Sequence, residues 1–462
     1  MASAIPHFDA DLIRRHDRPG PRYTSYPTAD RFVESFDEGA YRAWAGRRGI
    51  GGVGRPLALY VHLPFCRDVC YYCACNKIVT RNAGKAGDYL EYLGREIELQ
   101  AAVFREDKRV ARMHWGGGTP THYDAGRLRE LFDRIAGCFE LAPGGEYSIE
   151  IDPRTVDAAT IGALARLGFN RASFGVQDFD PQVQIAVHRI QSEECTRAAI
   201  EAARRAGFHS VNVDLIYGLP LQTPLTLDAT LDKVIALRPD RIALYNYAHL
   251  PALFKPQRRI READLPSADV KLALLALAVA RFTAAGYQHI GMDHFALPDD
   301  ELAVAQRRGC LYRDFQGYSA HGGCDLIGLG VSAIGGLAAT YSQNHRDLES
   351  YYRRLDRGEL PILRGIALTP DDLARRAVIQ GLMCNFTVSG HAIGAAYLLD
   401  FDRYFAAELA ELREFEEEGM LTVEDGWISV RPRGKFMIRS ICMVFDKYLR
   451  GRATQARYSR AI

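Results

Sequence analysis

The chain has 462 residues, 48% of them hydrophobic and 25% charged, the make-up of an ordinary globular protein with apolar material for a large core. Lys plus Arg number 58 against 57 Asp plus Glu, so no global charge draws the chain to nucleic acid or to an anionic membrane. The longest apolar run, Leu272 to Ala280, is too short to span a bilayer, and Met1 to Asp17 carries Asp9, Asp11, Arg14, Arg15 and Asp17 where an export signal needs an apolar stretch. A cytoplasmic protein without membrane contact is expected, its scattered thiols (Cys138, Cys195, Cys310, Cys324, Cys384 and Cys442) reduced and mostly buried.

Residues 1–56 read as an N-terminal arm. Gly20-Pro21-Arg22-Tyr23-Thr24-Ser25-Tyr26-Pro27-Thr28 interleaves Pro-bounded turns with aromatics, and nothing in the arm reads as a regular element. Strand signals then alternate with helix signals. Strands are expected over Leu57 to Leu63, Val110 to Trp115, Tyr147 to Asp152, Arg171 to Gln177, Val211 to Tyr217, Arg241 to Tyr247 and, more weakly, Gln288 to Met292. Helices are expected over Tyr89 to Phe104, Leu128 to Phe139, Val156 to Leu167, Ser192 to Ala206 with Ser192 as N-cap, Leu225 to Leu237 and Ala268 to Ala285. About six βα units at this spacing predict an α/β fold, a partial parallel (β/α)6-type barrel occupying residues 57–364 with its extension. Residues 365–462 read as a mainly helical C-terminal domain. Its helices are expected over Asp371 to Cys384, Tyr404 to Gly419 and Lys435 to Leu449, with a hairpin about Glu424-Asp425-Gly426, an arrangement that resembles a winged helix.

Cys66-Arg67-Asp68-Val69-Cys70-Tyr71-Tyr72-Cys73-Ala74-Cys75 places four of the ten cysteines in ten residues. Structural zinc sites are usually built from two separated pairs, and no second pair at zinc spacing follows. Three thiolates suit a [4Fe-4S] cluster with one iron open to a substrate or cofactor. A zinc knuckle or a set of buried thiols is the competing interpretation of spacing alone. With the glycine-rich and acidic strand ends that follow, the loop resembles the radical S-adenosylmethionine (SAM) superfamily.

Ligands of parallel α/β sheets bind at the carboxyl ends of the strands. In Ser148-Ile149-Glu150-Ile151-Asp152 the period-2 alternation puts the three polar residues on one face and the isoleucines on the other. A carboxylate facing a barrel interior is costly unless it binds something. Asp214 poses the same question, and Gln177 closes its strand. Gly116-Gly117-Gly118-Thr119 lets backbone approach a ligand but lacks the pattern of a phosphate loop. His62 reads as a packed, hydrogen-bonded residue. Arg22, Arg55, Lys77, Arg81, Arg189 and Arg313 are undecided by spacing, although an acidic substrate needs some of them.

Tyr60-Val61-His62-Leu63-Pro64-Phe65-Cys66, the C-x3-C-x2-C-x-C pattern and His114-Trp115-Gly116-Gly117-Gly118-Thr119-Pro120-Thr121 together resemble the oxygen-independent coproporphyrinogen III oxidase family. The Gly20 to Pro27 segment, Asn246-Tyr247-Ala248-His249-Leu250-Pro251, Gly291-Met292-Asp293-His294-Phe295 and Gly330-Val331-Ser332-Ala333-Ile334 extend the likeness over nearly the whole chain. The resemblance implies a radical SAM barrel and oxidative decarboxylation of two propionates of coproporphyrinogen III to the vinyls of protoporphyrinogen IX. It implies Cys66, Cys70 and Cys73 as ligands of a [4Fe-4S] cluster, with Cys75 a possible catalytic residue outside the ligand set. It puts Tyr60, Tyr72, Gly117, Gly118, Thr119, Glu150, Gln177, Arg189, Asp214, Ala248 and Ile334 at contacts to two SAM molecules, Ala248 and Ile334 serving the second. An electron donor such as a flavodoxin or ferredoxin and a monomeric state are further expectations.

Arg22 and Tyr23, with Tyr26, offer the arm a cation and aromatic surface. Either the arm folds over the barrel mouth and holds substrate, or it plugs the barrel. Ala74 departs from the glycine usual in the family, which matters if that position needs positive φ. A haem chaperone or porphyrin methyltransferase on the same scaffold, a winged-helix nucleic-acid regulator and a plain electron carrier are the rival functions. The acidic run from Asp400 to Asp425 opposes phosphate contacts.

Overall fold

The computed structural model describes residues 6–48, 54–105 and 107–450; the outermost parts of the expected arm and C-terminal domain, 1–5, 49–53 and 451–462, lie outside the described residues. Six strands run in parallel and in order: β1 (Leu57–Leu63), β2 (Arg109–Gly117), β3 (Glu140–Ile151), β4 (Arg171–Gln177), β5 (Ser210–Tyr217) and β6 (Arg241–Asn246). They alternate with α1 (Ala83–Val103), α2 (Ala125–Cys138), α3 (Ala158–Leu167), α4 (Glu193–Arg205), α5 (Pro224–Leu237) and α6 (Ala268–Ala284). Each helix opens on a residue whose side chain accepts from the first-turn N–H groups: Asn82, Asp124, Asp157, Ser192, Thr223 and Ser267. The Asn82 cap starts α1 six residues before the expected Tyr89, in a stretch too rich in Gly and Ala to show an apolar period.

The sheet continues past both edges of the six strands. Asp325–Leu329 pairs in parallel with β1 and is followed by antiparallel Ile334–Leu337, Thr340–Asn344 and Ile362–Ala367; at the other edge His294–Ala296 lies antiparallel to β6 and to Gln288–Gly291. Most of these extension strands were not expected; Ile334–Leu337 carries two glycines, and His294–Ala296 has only three residues. Ile149 and Ile151 point into the apolar core between sheet and helices, so the polar face of β3 is the interior one.

The arm contains structure that its composition concealed. Ala10–His16 and Glu38–Ala45 are helices capped by Asp9 and Asp37, and Val33 bridges to Gly365 at the sheet edge. Leu12, Ile13, Tyr23 and Tyr26 share one apolar core with the C-terminal helices Pro370–Asn385, Ala406–Glu417 and Ile438–Met443. The C-terminal hairpin, Leu421–Glu424 with Trp427–Val430, is present and is joined by Thr387–Ser389. Two expected helices are shorter than the periodicity suggests. The chain breaks at Phe405 between Phe401–Tyr404 and Ala406–Glu417. The last α-helix ends at Met443 instead of Leu449, because the Lys447 and Tyr448 N–H groups bind the Tyr26 hydroxyl (3.3 Å) and Asp446 Oδ1 (2.9 Å). Of the six scattered cysteines only Cys384 and Cys442 are buried, a correction to the expectation that most would be; all ten thiols are free. Among the described residues no helix is long and apolar enough to cross a membrane.

Candidate active site at the carboxyl ends of the barrel strands

The cysteine loop leaves β1 and is clamped at its base. Phe65–Cys66 pairs in parallel with Ile78–Val79, so the eleven intervening residues, Arg67 to Lys77, form a closed excursion over the barrel mouth. The Cys73 N–H binds the Cys70 carbonyl at 3.2 Å, and Lys77 Nζ donates to the Cys73 carbonyl at 2.9 Å. Thr119 Oγ1 donates to Cys66 Sγ at 3.4 Å and Arg189 Nη1 to Cys70 Sγ at 3.6 Å. A hydrogen bond from Cys75 lowers the Cys73 thiol to about 6, whereas burial raises Cys66 to about 11 despite Thr119. Among the described residues no three His, Cys, Asp or Glu side chains converge tightly enough for one metal ion. A cubane cluster asks for something else: sulfurs spread around a shared space, each meeting a different iron. Cys66, Cys70 and Cys73 all line one cavity of about 1130 Å³ with hydroxyl and guanidinium donors on two of them, a donor set that fits an anionic cluster.

Beside the loop are the strand ends. Gly117 has φ +116°, and a Cβ on Gly118 would sit 2.5 Å from the Pro64 carbonyl, so the backbone here is packed against the cysteine loop as only glycine permits. The Gly117 N–H donates to Glu150 Oε2 at 3.1 Å, and His114 Nε2 lies 3.4 Å from Oε1. Burial would raise the Glu150 carboxyl, but the His114 and Gly117 bonds hold it below the usual value. Asp214 accepts from Ser173 Oγ (2.8 Å) and Asn212 Nδ2 (2.9 Å), and burial raises it to about 6 all the same. Tyr60 stacks on His114 and donates to His62 Nδ1 at 3.0 Å, while His62 Nε2 donates to the Asn76 carbonyl at 2.9 Å. Burial lowers His62 below its usual value, and it is the packed, hydrogen-bonded histidine that its position suggested.

The far rim is held by Arg189, which also donates to Asp152 (3.2 Å) and the Gly175 carbonyl (2.6 Å). Gln257, in a 3-10 turn after β6, donates to the carbonyls of Tyr72 (3.1 Å) and Ala248 (3.2 Å), stitching the cysteine loop to the sixth strand end. Sequence reasoning missed Gln257, since a lone glutamine in a loop carries no signal. The cavity thus brings together Tyr72, Cys75, Gly117, Gly118, Thr119, Glu150, Gln177, Arg189, Asp214 and Ala248 with the three cysteines. Tyr60 supports it through His114 and does not line it. Ile334 packs against Phe32 and Tyr341 and is not among the residues that line this cavity. Arg22 pairs with Asp293 and lies 5.7 Å from the ring of Tyr245, a cavity residue, whereas Tyr23 is turned into the C-terminal core with its hydroxyl 3.0 Å from Asp446.

Residues 60–234 match the model of the radical SAM superfamily, and residues 368–437 match the HemN C-terminal domain. With the cysteine loop over parallel strand ends, this defines a radical SAM enzyme, whose cofactors are a [4Fe-4S] cluster and SAM. The chain is 50% identical to the oxygen-independent coproporphyrinogen III oxidase of Pseudomonas aeruginosa over 98% of its own length and 99% of the relative's, and 47% identical to that of Escherichia coli over 98% of both. The solved structure described as "Coproporphyrinogen III oxidase (HemN) from Escherichia coli is a Radical SAM enzyme" superposes with a TM-score of 0.92 at 46% identity, covering 96% of this chain and 100% of that one. The chain belongs to the oxygen-independent coproporphyrinogen III oxidase family, and is an oxidoreductase rather than a chaperone, methyltransferase, regulator or electron carrier.

Proposed function

We propose that this protein converts coproporphyrinogen III to protoporphyrinogen IX by oxidative decarboxylation of two propionates. The observation that carries the reading is that Cys66, Cys70 and Cys73 line one cavity together with the strand-end carboxylates Glu150 and Asp214. The three cysteines are the cluster ligands, and Cys75 is a neighbour outside the ligand set. When bound, the cluster and SAM together supply a carbon radical able to take a hydrogen atom from an unactivated carbon. The chain's own residues orient and shield. Glu150 and Asp214 accept from the amine and hydroxyls of SAM; Arg189 offsets negative charge between Cys70 and Asp152; Gly117, Gly118 and Thr119 bring backbone close; Tyr72, Gln177 and Ala248 close the rim. Tyr60 fixes His114 behind Glu150, and Ile334 with Ala248 belongs to a second SAM. The organisation is an arm at 1–56, a catalytic barrel with its extension at 57–364 and a C-terminal domain at 365–462. The enzyme works in the cytoplasm as a monomer and takes electrons from a small carrier such as a flavodoxin or ferredoxin.

The test is anaerobic turnover of the reconstituted protein with SAM, reductant and coproporphyrinogen III, read by product mass. A product lighter by two CO2 and four hydrogens is expected. Consumption of SAM with substrate returned unchanged would sink the reading.

A further inference from the structure

A group of polar side chains behind Tyr245 is not used by the site above. The Arg22 guanidinium is paired with Asp293 and lies 5.7 Å from the Tyr245 ring. His294 meets Tyr245 edge to face at 6.1 Å and Tyr318 at 5.2 Å. The Arg313 guanidinium lies 4.6 Å from the Tyr318 ring. The series runs Arg22, Tyr245, His294, Tyr318, Arg313; Tyr245 lines the cavity of the candidate active site, and the other four stand behind it. Two cations and two aromatic rings alternate about a histidine.

The two cations are in different states. Arg22 has its carboxylate. Arg313 is 3% exposed, its Nε and Nη1 are buried without a hydrogen-bond partner, and among the described residues no carboxylate lies within ion-pairing range of it. The neighbouring carboxylate, Asp314, is turned to Arg112 at 3.2 Å. His294 supplies no counter-charge, since an imidazole is neutral or cationic; burial and then Arg313 and Arg22 drive it well below its ordinary value, and its Nδ1 is also without a partner. A buried guanidinium with open donors is costly until acceptors complete it, and an anion does so most strongly.

We propose that Arg313 recognises a substrate carboxylate, taking one propionate that is not the one being decarboxylated, while Tyr245 and Tyr318 offer apolar surface to the macrocycle. This rests on the substrate reading above. The hairpin Tyr312–Asp314 with Gly317–Ser319 carries Arg313 and sets Tyr318 edge to face with His294 at 5.2 Å. Charge-assisted bonds to a planar guanidinium also distinguish an acid from its ester, which an apolar pocket does poorly.

The test uses reconstituted holoenzyme carrying Arg313→Gln or Arg313→Lys, with iron content and SAM affinity measured alongside. Loss of a charged hydrogen bond is expected to raise the KM for coproporphyrinogen III about tenfold or more in Arg313→Gln, with a smaller change in kcat, and to raise it less in Arg313→Lys. Binding of coproporphyrin III and its tetramethyl ester, followed by fluorescence, should show a strong preference for the acid in the unmodified enzyme that largely disappears in Arg313→Gln. An unchanged KM, or an unchanged preference for the acid, overturns the proposal. If Arg313→Gln does not fold, a folded Arg313→Lys with unaltered KM and preference overturns it equally. If the unmodified enzyme binds the acid but does not turn over coproporphyrinogen III, the function reading fails, and the acid-over-ester comparison alone decides the role of Arg313.

Discussion

The seam between the arm and the C-terminal helices and the mouth of the barrel are both polar, yet their polar groups end differently. In the seam, donors of this chain meet acceptors of this chain. The Tyr23 hydroxyl donates to Asp446 at 3.0 Å, Ser440 Oγ to the His16 carbonyl at 2.9 Å and Arg433 to Asp9 at 2.6 Å. At the mouth the network stops short. The Glu150 side chain keeps 43% of its surface open, and Arg189 Nε and Asn246 Oδ1 are buried without partners. A polar interior that closes on itself holds two segments together, while one that leaves donors and acceptors over a cavity is built around something else.

The most severe way to break this contrast is to remove the seam. Deleting residues 1–30 strips Leu12, Ile13, Tyr23 and Tyr26 from a core in which each is at most 3% exposed. We expect insoluble or unfolded protein, not a folded enzyme that has merely lost its substrate. A soluble truncated chain with an unaltered melting transition would mean that the arm is dispensable to the fold. Next in size are Cys66→Ala, Cys70→Ala and Cys73→Ala, each expected to lose the cluster and all turnover, while Cys75→Ala retains most of its iron. Iron analysis and the visible absorption of the reconstituted proteins separate these outcomes, and a full iron load in Cys70→Ala would be incompatible with the ligand set.

At the strand-end carboxylates the expected losses are partial. Glu150→Ala and Asp214→Ala should each weaken SAM binding by about 1.5–3 kcal/mol, roughly 10- to 150-fold, with iron content retained. Asp214 adds a pH signature. Burial raises it from 3.8 to about 6, so the folded state holds its proton more tightly than the unfolded chain, and this group's contribution to stability declines as pH rises from about 4 through about 6. Binding has the opposite sign, because the ionised form is the better acceptor. SAM affinity should therefore fall as pH drops below about 6, and Asp214→Asn should flatten that profile. Titration calorimetry at several pH values reads both.

The same contrast explains what could be read from the sequence. The six barrel strands and the polar face of β3 were legible because alternation and helix caps are local signals, and the cysteine loop was legible because its spacing is chemistry in itself. The helices Ala10–His16 and Glu38–Ala45 were not, since a helix of two turns gains its stability from the core it meets. The end of the last helix at Met443 was hidden for a related reason: the following N–H groups prefer Tyr26 and Asp446, partners far off in sequence or outside any period. Gln257 and Arg313 were illegible as roles, because what distinguishes them is a pair of carbonyls in one case and a missing anion in the other.

The smallest expected effect concerns Ala74, where the family usually has glycine. A glycine there would be required if the residue between Cys73 and Cys75 had to adopt positive φ. Eleven non-glycine residues of the described chain do so, Gln177 and Ser332 among them, and Ala74 is not one of them. The alanine therefore sits in a conformation it adopts without strain, and its side chain limits the freedom of the unfolded loop. Ala74→Gly should leave the iron content as it is and lower stability by about 0.4–1 kcal/mol, through the entropy of the unfolded chain. Denaturant unfolding of the cluster-free protein measures this difference without interference from the metal. If Ala74→Gly instead gained cluster occupancy, the loop must change its backbone on binding iron, and the clamp formed by Phe65–Cys66 and Ile78–Val79 would be a hinge rather than a fixed base.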